Sequence, residues 1–405
     1  IYLHCGRLID GKSDQVREEV TVIIDGDQVS SVVNGYQDSD NTQLIDLRNY
    51  TVLPGLIDMH VHIQNQSSKD NYSKGFRMNE ADVALAAIPY AEATLMAGFT
   101  TVRDVGGDGV NISLKKAINA GYINGPRIFT SGKALGTTGG HADPTNGLRK
   151  DLMGDPGPAE GVVNGPEDAR KAVRQRYKEG ADMIKLTATG GVLSYAKDGS
   201  GPQFTTEELE AVVETATDYG MHTAAHAHGP EGMKRAVMAG ITTIEHGTLM
   251  TEEIMDLMIE KGTYYVPTIT AGKSVADSAQ IRGYYPSIIV PKALAIGPMI
   301  QETFAKAYQR GVKIAFGTDA GVFTHGKNAK EFTYMVEAGM PPMIAIQSAT
   351  IVPAQILGVV DQIGSIEEGK LADIIAVADN PLENIEVMEE VILVMKEGGV
   401  YKQPE

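Results

Sequence analysis

From Gly55 to His62 the chain reads Gly-Leu-Ile-Asp-Met-His-Val-His, so that Ile57, Met59 and Val61 alternate with Asp58, His60 and His62. This is the two-residue period of a β-strand, and it sends both imidazoles out of one face. Similar β-rich runs follow at 100–104, 127–132, 183–187, 222–226, 243–246, 264–268 and 313–317. Between them the apolar positions take helical spacing over 80–96, 114–119, 166–179, 206–219, 231–238, 252–261 and 298–310. Thr205 and Glu208 have the spacing of a capping box, Pro166 after Gly165 marks a helix start, and Gly220 marks a stop.

The two ends of the chain have a different texture. Short β-rich runs at 2–5, 20–24 and 29–33 are punctuated by Asp10-Gly11 and Asp25-Gly26, and runs at 373–378 and 391–396 precede the turn Glu397-Gly398-Gly399. We therefore expect an α/β protein: a (β/α)8 TIM barrel over 55–356, with a small β-sandwich domain assembled from both termini, 1–54 and 357–405. A doubly wound sheet would place a glycine-rich phosphate turn after the first strand, where this chain has His-Val-His. Two connections, 133–165 and 190–204, are long enough to carry substrate contacts.

Composition narrows the partners. The 35 basic and 52 acidic residues give a formal charge of −17, which argues against nucleic acid and anionic membrane. No apolar run reaches the roughly 18–20 residues of a membrane span. Cys5 is the single cysteine, so no intrachain disulfide or thiolate metal cluster forms. Localisation stays open between the cytoplasm and, were a removed signal segment to precede Ile1, the periplasm or exterior.

The polar candidates stand at the C-terminal ends of the strands, where a barrel keeps its active site: His62, Lys185, His226, His246 and Asp319. Imidazole and carboxylate suit zinc or a similar ion. Each also has a plainer reading. His60 and His62 could be core histidines, and Asp319 a helix N-cap. His222 opens its strand and is assigned a structural role. Lys185 is the odd member, because an ammonium has no lone pair. It is a general catalyst with a lowered pKa, a carbamate formed with CO2, or a partner of Asp319.

Taken together, His60-x-His62, Lys185, His226, His246 and Asp319 resemble the metal-ligand set of the amidohydrolase superfamily, binuclear type. The resemblance spans nearly the whole chain, from Val52-Leu-Pro-Gly-Leu-Ile-Asp-Met-His60 to Gly364-Ser-Ile-Glu-Glu-Gly-Lys-Leu-Ala-Asp373. Gly98-Phe-Thr-Thr-Val-Arg-Asp104, Gly125-Pro-Arg-Ile128, Gly139-Gly-His141 and Glu245-His-Gly247 are similar to the Xaa-Pro dipeptidase (prolidase) and carboxypeptidase-like branch. The resemblance implies hydrolysis of the peptide or amide bond of dipeptides or N-acyl amino acids by a metal-bridging hydroxide. It implies two divalent ions, taken to be zinc: His60, His62 and Asp319 on the first, His226 and His246 on the second, and a CO2-derived carbamate on Lys185 bridging them. Asp319 would then shuttle the proton and His141 polarise the carbonyl. His228, Arg235 and Tyr195 complete the expected substrate contacts, although relatives often have His-Ala-Tyr where this chain has His226-Ala-His228. We also expect a homo-oligomer. The rival readings are an imidazolonepropionase-like cyclic amide hydrolase, a mononuclear deaminase of the same superfamily and a non-catalytic binding module.

Overall fold

The computed structural model describes residues 1–38, 42–196 and 199–404. Its first four strands are β1 (Tyr2–Ile9), β2 (Val16–Asp25), β3 (Gln28–Asn34) and β4 (Leu44–Pro54). The middle of the chain carries β5 (Leu56–Val61), β6 (Phe99–Asp104), β7 (Arg127–Thr130), β8 (Met183–Thr187), β9 (His222–Ala227), β10 (Thr243–His246) and β11 (Tyr264–Val266). The last three strands are β12 (Ile374–Val377), β13 (Val391–Lys396) and β14 (Gly399–Lys402).

Both termini enter one seven-stranded sheet in the order β14-β13-β12-β4-β1-β2-β3. The β2–β3 hairpin turns at Gly26, whose φ of +61° suits glycine, as the Asp-Gly signal predicts. Asp10-Gly11 instead begins a longer connection, because β1 runs on to Ile9 and β2 starts only at Val16. Alternation along β12 divides the interior. Ile374 and Ala376 pack with Leu3, Val22 and Leu393 inside the terminal sheet, whereas Ile375 and Val377 join the larger core with Phe99 and Leu95.

The middle strands are parallel: β5-β6-β7 form one sheet and β8-β9-β10-β11 another. Single bridges link these sheets, between Leu135 and Leu186, Tyr265 and Ile314, and Val61 and Ala320. The expected strand at 313–317 is not a continuous ladder. Its backbone bonds diverge to Tyr265, Ser348 and Met59, so the segment stays extended with isolated bridges. The expected run at 264–268 ends earlier, at Val266. Pro267 offers no N–H, and Thr268 turns to φ +55°.

Helices separate the strands much as the periodicity predicts. Thr205 and Glu208 cap the helix Thr206–Asp218 reciprocally, and Pro166 opens the helix Pro166–Glu179. The helix expected from 114 starts earlier, as Val110–Asn119. Helices Ile269–Ala279, Val290–Ile296, Lys330–Glu337, Pro342–Ser348 and Ile351–Ile356 were not anticipated.

Arg127 ties the two β regions together. From the start of β7 its guanidinium donates to Asp373 Oδ2 at 2.8 Å, Glu397 Oε1 at 2.5 Å and Thr101 Oγ1 at 2.8 Å. The pair with Asp373 is largely buried, so removing one partner strands the other charge. Arg127→Met is predicted to cost about 3 kcal/mol in urea denaturation. A double-mutant cycle with Asp373→Ala should give a coupling of about 1 kcal/mol or more, and additive losses would refute the clamp.

Candidate functional site

The C-terminal ends of β5, β8, β9 and β10 meet at one cavity of about 600 Å3. Its wall brings together His60, His62, Lys185, His226, His246 and Asp319, with His141 and His228 beside them. The strand period explains the first pair, since His60 and His62 leave β5 and its continuation on one face.

Three of the imidazoles are held in one tautomer by acceptors that have no proton to give. His60 Nδ1 donates to Glu245 Oε2 at 2.7 Å, His62 Nδ1 to the Gly106 carbonyl at 2.7 Å, and His226 Nε2 to the Gly190 carbonyl at 3.1 Å. The opposite ring nitrogen of each therefore keeps its lone pair. His246 Nδ1 lies 2.8 Å from Thr268 Oγ1, and His228 Nδ1 lies 2.9 Å from Thr248 Oγ1. Burial, above all, lowers the pKa of every one of these rings. His62 and His228 fall to about 4, and His141 falls to about 3. His60, His226 and His246 lie well below the usual value for the same reason. At neutral pH they are neutral imidazoles, the form that binds metal.

Asp319 completes a donor set. Its Oδ1 lies 3.6 Å from His60 Nε2 and 3.3 Å from His62 Nε2, yet it is buried and accepts no hydrogen bond. A carboxylate oxygen and two ring nitrogens carrying lone pairs are thus turned toward one point, within 4.8 Å of one another. Such an arrangement is unfavourable unless a cation lies between them, and these atoms fit a divalent ion. Burial raises the pKa of Asp319, a shift opposed by Lys185. Burial likewise lowers that of Lys185, against the pull of Glu245 and Asp319. Asp319 is not a helix N-cap, because the next helix begins at Lys330.

Beneath the histidines lies a buried polar network with no counterpart in the sequence reading. Arg103 on β6 donates to Glu245 Oε1 at 2.7 Å, to the Met59 carbonyl at 2.6 Å and to Thr243 Oγ1 at 3.1 Å. Arg103 and Glu245 are fully buried. Asp58 accepts from the His60 and Thr318 amides, the Thr318 hydroxyl and Asn328 Nδ2 at 2.6–3.1 Å, which fixes the two segments that carry His60 and Asp319. The available signal was charge inside apolar strands: Arg103 in Phe-Thr-Thr-Val-Arg-Asp and Glu245 in Thr-Ile-Glu-His.

Two of the expected substrate contacts lie off the cavity wall. Arg235 does not line the cavity: its Nε pairs with Glu231 at 2.8 Å and its NH1 donates to the Phe204 carbonyl at 3.1 Å. Seven residues beyond His228, the following helix has carried it away from the mouth. Tyr195 also lies off the wall, 39% exposed and packed edge-on against Tyr72, while its neighbours Val192 and Leu193 face the cavity. Within the long connection 190–204, residues 197–198 lie outside the described residues.

A buried cluster of neutral imidazoles, carboxylate and lysine at the ends of parallel strands defines a metal-capable hydrolase site. The chain belongs to the Amidohydrolase family, whose profile matches residues 51–400. It is similar to a crystal structure of a Xaa-Pro dipeptidase with methionine bound in the active site, at 56% identity and TM-score 0.96 over 99% of both chains. It is also similar to a prolidase complexed with N-methylphosphonate-L-proline, at 34% identity and TM-score 0.91 over 99% of both chains. The ochratoxinase of Aspergillus niger is 33% identical over 99% of this chain and 86% of its own length. These relatives place the chain with the prolidase-like branch of the superfamily. Among the described residues, no helix is long and apolar enough to cross a membrane.

Glu245→Gln keeps the shape but loses the carboxylate that fixes His60 Nδ1. Zn2+ titration of metal-free protein should show affinity weakened by about 10–100-fold, and unchanged affinity would remove Glu245 from the ligand-orienting role.

Proposed function

We propose that this chain hydrolyses the amide bond of small peptides or N-acyl amino acids, acting on Xaa-Pro dipeptides or as a carboxypeptidase, with two divalent ions, taken as zinc. Its hydrolase domain is a (β/α)8 barrel over 55–356, and 1–54 with 357–405 form a discontinuous β-sandwich domain. The three isolated bridges support closure of the barrel, and the separate core of the terminal sheet supports the second domain. The observation that carries the functional reading is the buried Asp319 Oδ1, unpartnered and turned toward the Nε2 atoms of His60 and His62.

In this reading His60, His62 and Asp319 would hold one ion and His226 and His246 the other, and Lys185, as a carbamate, would supply an anionic ligand available to both. The hydrogen bond from His226 Nε2 to the Gly190 carbonyl leaves Nδ1 as the ring atom that would bind an ion. When bound, the ions lower the pKa of water and polarise the scissile carbonyl. Asp319 takes the proton of the attacking water and passes it to the leaving amine. His141, neutral and on the cavity wall, donates a hydrogen bond to the carbonyl oxygen. Carbamate formation needs a neutral amine: Lys185 adds to CO2 and releases one proton, and burial favours that neutral form. Among the described residues, the cavity-wall cations are Lys133 and Lys185, so Lys133 and His228 replace Arg235 as the groups facing a substrate carboxylate.

Chelator-treated protein is expected to lose dipeptide hydrolysis and to recover it at about two equivalents of Zn2+ per chain; recovery at one equivalent would favour a mononuclear site. Lys185→Ala should retain the fold but lose the second equivalent, with partial rescue by short carboxylic acids. Full binuclear loading of this variant without added acid would refute the bridge. Amidating the substrate C-terminus should lower kcat/KM by about tenfold, an effect that Lys133→Met weakens and Arg235→Met leaves unchanged. Equal rates on acid and amide would favour the ring-opening alternative.

A further inference from the structure

Helix Val290–Ile296 carries Lys292, a residue that does not line the cavity. Its ammonium donates to the carbonyls of Gly191 at 3.1 Å, Ser194 at 2.8 Å and Ala196 at 2.9 Å. Among the described residues, one charged nitrogen thus meets three backbone acceptors of a single segment, in charge-assisted hydrogen bonds. The stem of Lys292 also passes Gly199, where an added Cβ would approach its Cδ to 3.3 Å.

Segment 190–196 reaches the chemistry at two points. The Gly190 carbonyl accepts the proton of His226 Nε2. Gly191 lies flat against His141, so close that a Cβ there would come within 2.2 Å of the ring. The His141 ring in turn lies against His226, with centroids 4.4 Å apart. Val192 and Leu193 form part of the cavity wall and pack with Val275, Ile289 and Ala293 in an apolar cluster separate from the main core. The Tyr72 hydroxyl adds one bond to the Leu193 carbonyl at 3.0 Å. The Gly190 amide donates to the Gly201 carbonyl at 3.0 Å and its carbonyl also accepts from Thr189 Oγ1 at 2.8 Å, which anchors the start of the segment. The charge-assisted bonds of Lys292 hold the rest of it, 191–196, in register.

We propose that Lys292 is a positioning residue of the hydrolytic site. By clasping the carbonyls of 191–196 it sets the face of Gly191 against His141 and braces the chain that leaves Gly190, whose carbonyl meets His226. The link from Lys292 to these rings runs through the backbone, and the ammonium itself touches neither. The kinetic part of the test rests on the hydrolase reading above, whereas the placement of the segment does not.

The test compares Lys292→Met, which keeps the stem, with Lys292→Arg, which keeps the charge. Hydrogen–deuterium exchange of amides in 190–196 should accelerate by about tenfold or more in Lys292→Met, while β8 keeps its protection. Zn2+ affinity should weaken by about tenfold as His226 loses its fixed tautomer. With a Xaa-Pro dipeptide, kcat should fall by about tenfold or more, and by more than KM rises, because the displaced rings act on the transition state. Lys292→Arg should recover part of each loss. Unchanged exchange in 190–196, an equal acceleration in β8, or wild-type Zn2+ affinity and kcat would overturn the proposal. If wild-type protein does not hydrolyse the dipeptide, the activity reading fails, and exchange with Zn2+ affinity still decides the role of Lys292.

Discussion

The ion pair between Arg103 and Glu245 is the constraint on which the site depends. Both side chains are fully buried, Arg103 on β6 beside the strand that leads to His60 and His62, and Glu245 on β10 directly before His246. Each charge is tolerable only because the other lies 2.7 Å away and the remaining donors and acceptors are occupied. Arg103 meets Glu245, Met59 and Thr243, while Glu245 also accepts from His60 and Thr243. The pair thus welds β5, β6 and β10 together at the depth where His60 begins. A buried pair of this kind adds little net stability over apolar residues of the same volume. What it supplies here is orientation, since Glu245 dictates which nitrogen of His60 faces the cavity.

The sequence was legible where chemistry and period coincide. His-x-His in an alternating strand can only put both rings on one face; His226 and His246 stand at or next to the ends of β-rich runs, and Lys185 stands in the middle of one. The segment 313–317 was less legible, because its backbone bonds are shared among three neighbours and local pattern cannot show that. Arg235 and Tyr195, unlike His141 and His228, lie off the cavity wall for a related reason. Arg235 stands two helical turns beyond His228, but such spacing gives a side chain's azimuth and not its partners. Glu231, one turn earlier on the same helix, takes its guanidinium. Tyr195 sits in an irregular loop, where no period links one side chain to a face. Glu245 and Arg103 were visible as charges in buried strands, but their pairing crosses 142 positions and is a property of the fold.

The backbone at the cavity shows what this arrangement costs. Left-handed φ values occur at His246 (+67°), Thr268 (+55°) and Asp319 (+60°). Each of these residues has a Cβ that disfavours the conformation, at about 1–3 kcal/mol apiece. All three line the same cavity, at or just beyond β10 and β11 and in the extended segment that follows. A strand that continued straight would keep alternating its side chains. A single left-handed residue breaks the alternation and swings the next functional group over the strand ends. Local bonds hold the strained residues in place: the Tyr265 hydroxyl donates to the His246 carbonyl, the Asp319 amide donates to the His60 carbonyl, and Thr268 Oγ1 meets His246 Nδ1. Two of these contacts join one strained residue to another or to a neighbouring ligand strand. The strain is therefore shared: His246 cannot relax without displacing Thr268, nor Asp319 without displacing His60.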